Sequence, residues 1–311
     1  MENTNNWVWE GYYRPTHIKD VIMPKVYRNF FDKIISKGAT MNLILASSCP
    51  GTGKSTLAMA VANDLDADYL FINASDENGI NTIREKVTGF ASSMSFSGKP
   101  KIIIFDEADG MTPAGQETLR NYIDKYQSNC RFIFTCNFLS KIIPALQEYG
   151  GRTMLFEFDM KKPEYKEEVF SQIVKRMCGI LKHENIKYEE DAVKGLIDQH
   201  YPSIRSIVTI LQKYSMMHDF IDMNIINYAK IGEEFTNLVL GRDLGKARKY
   251  ISDNGISYQE VYTYLMDYVV PKLNNKGDAV LQIAEYEYRS NLSSDPSIQI
   301  AACLIEIFKC I

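Results

Sequence analysis

The chain contains 311 residues, which is enough for roughly two or three domains. Its 45% hydrophobic and 24% charged residues are typical of an ordinary globular protein, and no internal repeat or low-complexity segment is present. The formal net charge of −4 gives no overall indication of nucleic-acid binding, so any such surface would be a local patch.

Membrane insertion, secretion and a metal or disulfide framework are all disfavoured by the sequence. No apolar run approaches the roughly 20 residues that span a bilayer, and the polar residues 1–6 lack the regions of a signal peptide. The six cysteines include no C-x-x-C pair and the four histidines are scattered, so neither a zinc site nor a disulfide framework is indicated. We therefore expect a protein of the reducing cytoplasm, with no membrane partner.

The first half of the chain has the pattern of an α/β fold. A helix with one apolar face is predicted over residues 25–36, and Gly38 is expected to end it. Short apolar strands then alternate with helices. The strands are predicted at 43–46, 69–72, 102–105, 132–135 and 154–158, and the helices at 56–65, 80–91, 112–126 and 141–148. This alternation predicts a parallel sheet covered on both faces, with ligands beyond the carboxyl ends of its strands.

The strongest functional signal follows the first strand, at residues 48–56. A glycine-rich turn there leads from a strand into a helix, which is the context of a phosphate-binding P-loop, although Ser48 replaces the usual first glycine. Backbone N–H groups and the helix dipole would bind an anion. The alternative, a purely structural glycine turn, is disfavoured by the Gly-Lys-Ser sequence. The residues predicted to bind nucleotide are Pro50, Gly51, Thr52, Gly53, Lys54, Ser55 and Thr56, with Lys54 on the outer phosphates and Ser55 on Mg²⁺.

Polar residues follow two later strands. Asp106 and Glu107 come directly after the strand at 102–105 and form a Walker B arrangement, in which Asp106 would hold the metal and Glu107 would polarise the attacking water. Two acids could instead cap the next helix, but the P-loop upstream favours catalysis. Asn137 follows the strand at 132–135 and could hydrogen-bond the γ-phosphate or the water, or be a simple turn residue.

The rest of the chain is predicted to be helical. Helices are expected at 163–181, 191–199 and 202–217, with Pro202 at a helix start and Arg205 one turn in, where it could reach a phosphate or lie exposed. Residues 232–311 form further helices with breaks near 241–242, 254–255, 274–277 and 293–296. Recurrent tyrosines there suggest core or subunit interface. We therefore expect a nucleotide-binding domain at 1–160, a small helical domain at 161–230 and a helical assembly domain at 231–311.

Together these motifs resemble those of the clamp-loader AAA+ ATPases. The segments that carry the resemblance are Trp9-x-x-Tyr12-Tyr13-Arg14-Pro15, residues 73–80, Asp106 to Thr112, and Tyr201 to Arg205. They are similar to replication factor C small subunits. The chain length and residues 90–98 resemble more closely the large (ATPase) subunits of T-even-type bacteriophage clamp loaders. The similarity is specific over about residues 7–210 and weak in the last third.

The resemblance implies an AAA+ domain, a helical lid and a helical collar, with ATP and Mg²⁺ as cofactors. The implied function is to open a sliding clamp and place it on primer–template DNA in replication, in a ring with further copies of this chain and a different small loader subunit. If the source is viral, the location would be the host cytoplasm. By the same resemblance, Tyr13, Arg14, Val21 and Met23 flank the adenine and Arg205 touches the γ-phosphate, and Gly79, Ile80, Arg84 and Thr112 contact DNA phosphates.

One departure from the family concerns the arginine finger. The family carries Ser-Arg-Cys before the last strand of the sheet, and this chain reads Gly150-Gly151-Arg152 instead. Arg152 either takes the finger role in trans or is an ordinary surface residue. Two alternatives to an ATPase motor therefore remain: a scaffold subunit that binds ATP but hardly hydrolyses it, and an RNA helicase suggested by the tetrad Asp106-Glu107-Ala108-Asp109.

Overall fold

The five predicted strands form one parallel sheet in the computed structural model. The structure describes residues 7–38, 40–75, 80–93, 98–147, 152–229, 231–253, 256, 258–290, 292–293 and 295–311. The strands are β1 (Leu43–Ala46), β2 (Asp68–Asn73), β3 (Lys101–Asp106), β4 (Cys130–Cys136) and β5 (Met154–Glu157), in the spatial order β2-β3-β4-β1-β5. Since β1 is buried along its whole length, its four-residue apolar run reads as a central strand. The predicted parallel α/β sheet is confirmed.

Helices precede the first strand and connect later strands, mostly where the sequence predicts them. They are α1 (Trp9–Tyr12), α2 (Lys25–Ser36), α3 (Lys54–Asp64), α4 (Ile80–Ser92) and α5 (Pro113–Tyr126). The apolar faces of α4 and α5 pack against the sheet through Ile83, Val87 and Leu119, which are almost fully buried. These helices fix the positions at which the strands end.

The predicted helix over 141–148 is wrong for the residues that the structure describes. A short 3₁₀ turn, Leu139–Lys141, is followed by turns up to residue 147. Pro144 explains the difference, because it lacks an N–H donor and disfavours helical geometry in the preceding residue. Ile142 and Leu146 are nevertheless buried, so the apolar spacing reflects burial of a turn.

Three longer helices follow β5. They are α6 (Pro163–His183), α7 (Glu190–His200) and α8 (Ile204–Met217). The expectation that Pro202 begins the last of them is wrong, since Ser203 caps α8 by accepting a hydrogen bond from Ser206 N. Two-residue strands β6 (Lys187–Tyr188) and β7 (Phe220–Ile221) also pair, although no strand was expected here. Elements this short show no periodic pattern in a sequence.

The chain divides into two compact units, residues 1–225 and 226–311. The helices near and beyond this boundary are α9 (Asn224–Ala229), α10 (Ile231–Leu240), α11 (Leu244–Asp253), α12 (Tyr258–Tyr264), α13 (Lys276–Ser290) and α14 (Pro296–Cys310). Their core includes Phe235, Leu265 and Leu304. The tyrosines divide between two environments, because Tyr262 is buried whereas Tyr288 is 65% exposed. None of the described helices combines the length and the apolar character needed to cross a membrane.

A buried lysine joins β3 to the end of α4. Lys101 is only 6% exposed, and its Nζ donates to Phe90 O at 3.0 Å, to Ser93 Oγ at 2.7 Å and to Ser93 O. The ammonium also lies 5.0 Å from the centre of the Phe90 ring. A positive charge at a helix C-terminus satisfies carbonyl groups that have no partner within the helix.

We expect Lys101→Met to destabilise the protein by about 1–3 kcal/mol, because it leaves these carbonyl groups without their donor in a partly buried place. Thermal and urea unfolding measure the effect. Lys99→Met is the matched control, since Lys99 forms an exposed ion pair with Asp66 and the loss of that pair should not move the unfolding midpoint. Equal stability of the two variants would contradict a structural role for Lys101.

Candidate functional site

The loop between β1 and α3 has the backbone of a phosphate-binding turn. Gly51 and Gly53 adopt left-handed φ angles of 73° and 98°, and α3 begins at the next residue, Lys54. The start of α8 lies against this loop, because Arg205 N donates to Gly51 O at 3.3 Å. A Cβ added to Gly51 would lie 2.5 Å from Ser203 Oγ. The loop and α8 therefore fit closely only with glycine at position 51.

The ammonium group of Lys54 lies inside the loop, and the residue as a whole is only 8% exposed. Its Nζ donates to Ser47 O at 3.3 Å, Cys49 O at 3.1 Å and Asn137 Oδ1 at 2.7 Å. Burial lowers the pKa of Lys54, and the charges of Asp106 and Asp109 partly oppose that effect. Among the described residues, its hydrogen-bond acceptors are all neutral oxygens. A buried cation with neutral partners favours an anionic ligand.

The two acids meet the P-loop at the carboxyl end of β3. Ser55 Oγ and Thr135 Oγ1 each donate to Asp106 Oδ1 at 2.5 Å. Hard oxygen ligands from one carboxylate and one hydroxyl suit Mg²⁺, which usually takes its other ligands from phosphate and water. Ser55 and Asp106 therefore fit the magnesium site that the sequence predicts.

Glu107 and Asn137 are held by neighbouring groups of the same region. Glu107 has a left-handed φ of 55°, and its N–H donates to Thr135 Oγ1 at 3.1 Å. The Asp109 carboxylate accepts hydrogen bonds from Asn137 N at 3.2 Å and Phe138 N at 3.0 Å. Asp109 thus fixes the backbone that carries Asn137, while Lys54 fixes its side-chain amide.

The loop opens into a cavity of about 270 Å³. Its polar end is formed by the P-loop, the two acids and Asn137. The other end is mostly apolar and is lined by Trp9, Tyr13, Val21, Ile22, Met177, Ile180 and Val208. A cavity with one polar end and one apolar end matches the chemistry of a nucleotide, whose phosphates are charged and whose flat base can pack against apolar side chains.

The N-terminal segment and α6 form part of the cavity wall. Tyr13 OH lies 2.7 Å from His183 Nδ1 and also donates to Glu184 Oε1. Burial, followed by the bond to Glu184, raises the pKa of Tyr13, so its hydroxyl stays protonated. Arg14 Nε donates to Thr56 Oγ1 at 3.0 Å, and burial lowers the pKa of Arg14.

Most residues predicted for the nucleotide site lie around this one cavity. Met23 is the exception on the adenine side, because its side chain is fully buried and Ile22 lines the cavity in its place. Arg205 also lines the cavity, and its Nε donates to Glu10 Oε1 at 2.6 Å. Sequence patterns did not predict a place at the site for Glu10, Ile22 or Thr135. Thr135 alone had a sequence signal, since it lies two residues before Asn137, and residues two apart along an extended chain point to the same side.

Of the residues predicted for DNA and for the arginine finger, those that the structure describes are not part of the cavity wall. Arg84 is exposed on α4, which begins at Ile80, and Gly79 lies outside the described residues. Thr112 caps α5, with its Oγ1 accepting a hydrogen bond from Gly115 N at 3.2 Å. Arg152 Nε contacts Asp124 Oδ1 and Oδ2 at 2.9 and 3.1 Å.

Comparison with known proteins identifies the family. The model of the ATPase family associated with various cellular activities (AAA) matches residues 44–160. The model of the sliding-clamp-loader large subunit, AAA+ ATPase lid domain, matches residues 166–227. A replication factor C small subunit of Sulfurisphaera tokodaii is 32% identical over 322 residues, covering 96% of this chain and 94% of that protein. The chain belongs to the clamp-loader family of AAA+ ATPases.

Two phage relatives are similar over different lengths of the chain. The sliding-clamp-loader large subunit of Escherichia phage RB69 is 29% identical over 98% of this chain and 97% of its own length. That of Enterobacteria phage T4 is 37% identical over 215 residues, 68% of this chain and 66% of that protein. Among solved structures, the RuvB Holliday junction branch migration motor of Thermotoga maritima aligns with a TM-score of 0.54. At 15% identity over 78% of this chain and 86% of that chain, it supports the fold alone.

Because Glu10 places a carboxylate on the cavity wall, we expect it to weaken the binding of nucleotide. We expect Glu10→Gln to bind nucleotide about two- to fivefold more tightly, because the cavity wall loses a carboxylate that would repel an anion and Arg205 is released from a half-exposed pair worth about 0.2–1 kcal/mol. Equilibrium binding of a fluorescent nucleotide measures this change. In an Arg205→Ala background the gain should shrink. Weaker binding by Glu10→Gln would show that Glu10 aids the site instead.

Proposed function

We propose that this chain is an ATP-driven subunit of a sliding-clamp loader, which opens a clamp and places it on primer–template DNA during replication. The observation that carries the proposal is the convergence of Lys54, Ser55, Asp106 and Asn137 on one cavity, in a chain whose next segment matches a clamp-loader lid. The names of its relatives supply the clamp as partner.

In this proposal, each residue of the site has its own role in ATP hydrolysis. Lys54 and the N–H groups of the loop bind the outer phosphates, and Ser55 and Asp106 hold Mg²⁺. When bound, Mg²⁺ neutralises negative charge on the phosphate oxygens. Glu107 accepts a proton from the attacking water, and Asn137 hydrogen-bonds the water or the γ-phosphate without adding charge.

The apolar end of the cavity would hold adenine, between Tyr13, Arg14 and the buried pair Val21 and Ile22. Arg205 would reach the γ-phosphate from the lid. In the structure its Nε contacts Glu10, so a bound phosphate would compete with the Glu10 carboxylate for the guanidinium group. ATP binding would then reorganise contacts between the N-terminal segment and the lid.

A contribution from a neighbouring subunit belongs to the same proposal. Arg152 would act in trans on the next subunit's nucleotide, but it is held by both carboxylate oxygens of Asp124. That hydrogen bond also raises the pKa of Arg152. The pairing favours the second candidate function, a scaffold subunit that binds ATP and hydrolyses it slowly.

Partners and domain boundaries complete the proposal. DNA phosphates would contact Arg84 and the backbone N–H groups at the starts of α4 and α5. We assign the AAA+ domain to 1–160, the lid to 161–230 and the collar to 231–311, where further copies and a different small loader subunit would bind. A cytoplasmic location suits such a partnership.

Turnover measurements separate motor from scaffold. For a motor, we expect the ATPase rate to rise at least tenfold when a sliding clamp and primer–template DNA are added with the partner subunits. Glu107→Gln should lower that rate by about 10²- to 10⁴-fold, because the water loses its base, while nucleotide affinity stays within about twofold. An unstimulated, slow rate would favour the scaffold, and unwinding of RNA without a clamp would favour a helicase.

Arg152→Ala tests the contribution in trans. We expect it to lower clamp- and DNA-stimulated turnover at least tenfold, since a finger supplied in trans is worth about 10³–10⁵ in related reactions. Each subunit's own nucleotide affinity should not change. Asp124→Asn is the matched control, because it removes the charge of the carboxylate that contacts Arg152 and should leave turnover equal or higher. Turnover unaffected by Arg152→Ala would eliminate the finger role.

A further inference from the structure

Thr135 lies between the two strands that deliver the catalytic loop and the acids. It belongs to β4, which has β3 on one side and β1 on the other. It pairs in register with Leu45 of β1, one residue before the end of that strand. On the other side, Phe134 pairs with Phe105, which directly precedes Asp106. Thr135 is therefore next to the carboxyl ends of both neighbouring strands.

The Thr135 hydroxyl donates one hydrogen bond and accepts another. It donates to Asp106 Oδ1 at 2.5 Å and accepts from Glu107 N at 3.1 Å. Thr135 is only 2% exposed, so bulk water does not compete for these contacts. One hydroxyl can donate once and accept twice. It thereby connects the side chain of one acid to the backbone of the next.

The backbone of Glu107 makes its hydrogen bond to Thr135 important. Glu107 has a φ of 55°, in the left-handed region that residues other than glycine rarely adopt. Its N–H is held by Thr135, and its carbonyl oxygen accepts a hydrogen bond from Gly110 N at 2.8 Å. Surrounding contacts must maintain such a conformation. The direction of the Glu107 side chain therefore depends on Thr135.

We infer that Thr135 is a positioning residue for ATP hydrolysis, which orients both the magnesium-binding carboxylate of Asp106 and the backbone of Glu107. This inference rests on the proposed function. The residue acts through the two acids and is not expected to touch the nucleotide. The hydroxyl group of Thr135 makes both contacts with the acids, whereas its methyl group fills space in the core.

The inference predicts a specific split between binding and turnover. Thr135→Val keeps the shape and removes both hydrogen bonds, whereas Thr135→Ser keeps the hydroxyl. In Thr135→Val we expect turnover to fall at least tenfold and the Mg²⁺ concentration for half-maximal nucleotide binding to rise severalfold. Nucleotide affinity in EDTA should stay within about twofold, because Lys54 and the glycine loop are unchanged. Thr135→Ser should restore both properties to near the wild-type values.

The decisive experiment measures equilibrium binding of a fluorescent ATP analogue across a Mg²⁺ titration, together with single-site turnover, for the wild type and both variants. A purely structural role would lower the melting temperature of Thr135→Val and leave its Mg²⁺ dependence unchanged, which would overturn the inference. If Thr135→Val does not fold, Thr135→Ala is measured in its place with the same criteria. A wild-type protein that binds ATP with Mg²⁺ but never hydrolyses it would refute the proposed motor, while the Mg²⁺ titration would still test Thr135 and Asp106.

Discussion

The parallel placement of β4 between β1 and β3 is the constraint on which the site depends. Parallel strands end at the same edge of a sheet, so the loop after β1 and the acids after β3 are brought to either side of β4. Thr135 and Asn137, two residues apart, then contact the acids on one side and Lys54 on the other. Had the strand order differed, the same residues would not meet. The order of the strands in the sheet therefore determines which side chains can meet at the site.

The N-terminal segment closes the site from outside the sheet. Trp9 N donates to Gln212 Oε1 at 3.0 Å, and Gln212 Nε2 donates to Trp7 O at 2.9 Å. With Glu10 and Tyr13, the segment therefore contacts both α8 and the end of α6, while Arg14 contacts α3. A stretch of only a few residues thus contacts α3 as well as α6 and α8 of the lid. Movement of the lid would accordingly change contacts of the N-terminal segment at several points.

A feature could be predicted from the sequence when the residues that form it lie close together along the chain. The strands and the glycine loop were predictable, because short apolar runs and a glycine-lysine turn are local signals. The turn at Pro144 was misassigned because apolar spacing outweighed the proline, and β6 and β7 are too short to leave a pattern. Glu10 was missed since its partner Arg205 lies 195 residues away in sequence. The roles of Glu107 and Arg205 in hydrolysis remain predictions, because structure gives their positions and only kinetics gives their contributions.

The close fit of Gly51 against Ser203 has a consequence for how the sequence can vary. The usual explanation for glycine in such a loop is the approach of phosphate, yet here a side chain at position 51 would collide first with the residue that caps α8. Two positions about 150 residues apart therefore share one volume. A larger side chain at either position would displace the start of the lid helix from the loop. In related chains, the residue at the helix cap should accordingly stay small wherever the loop keeps this shape, so that the pair would vary together or not at all.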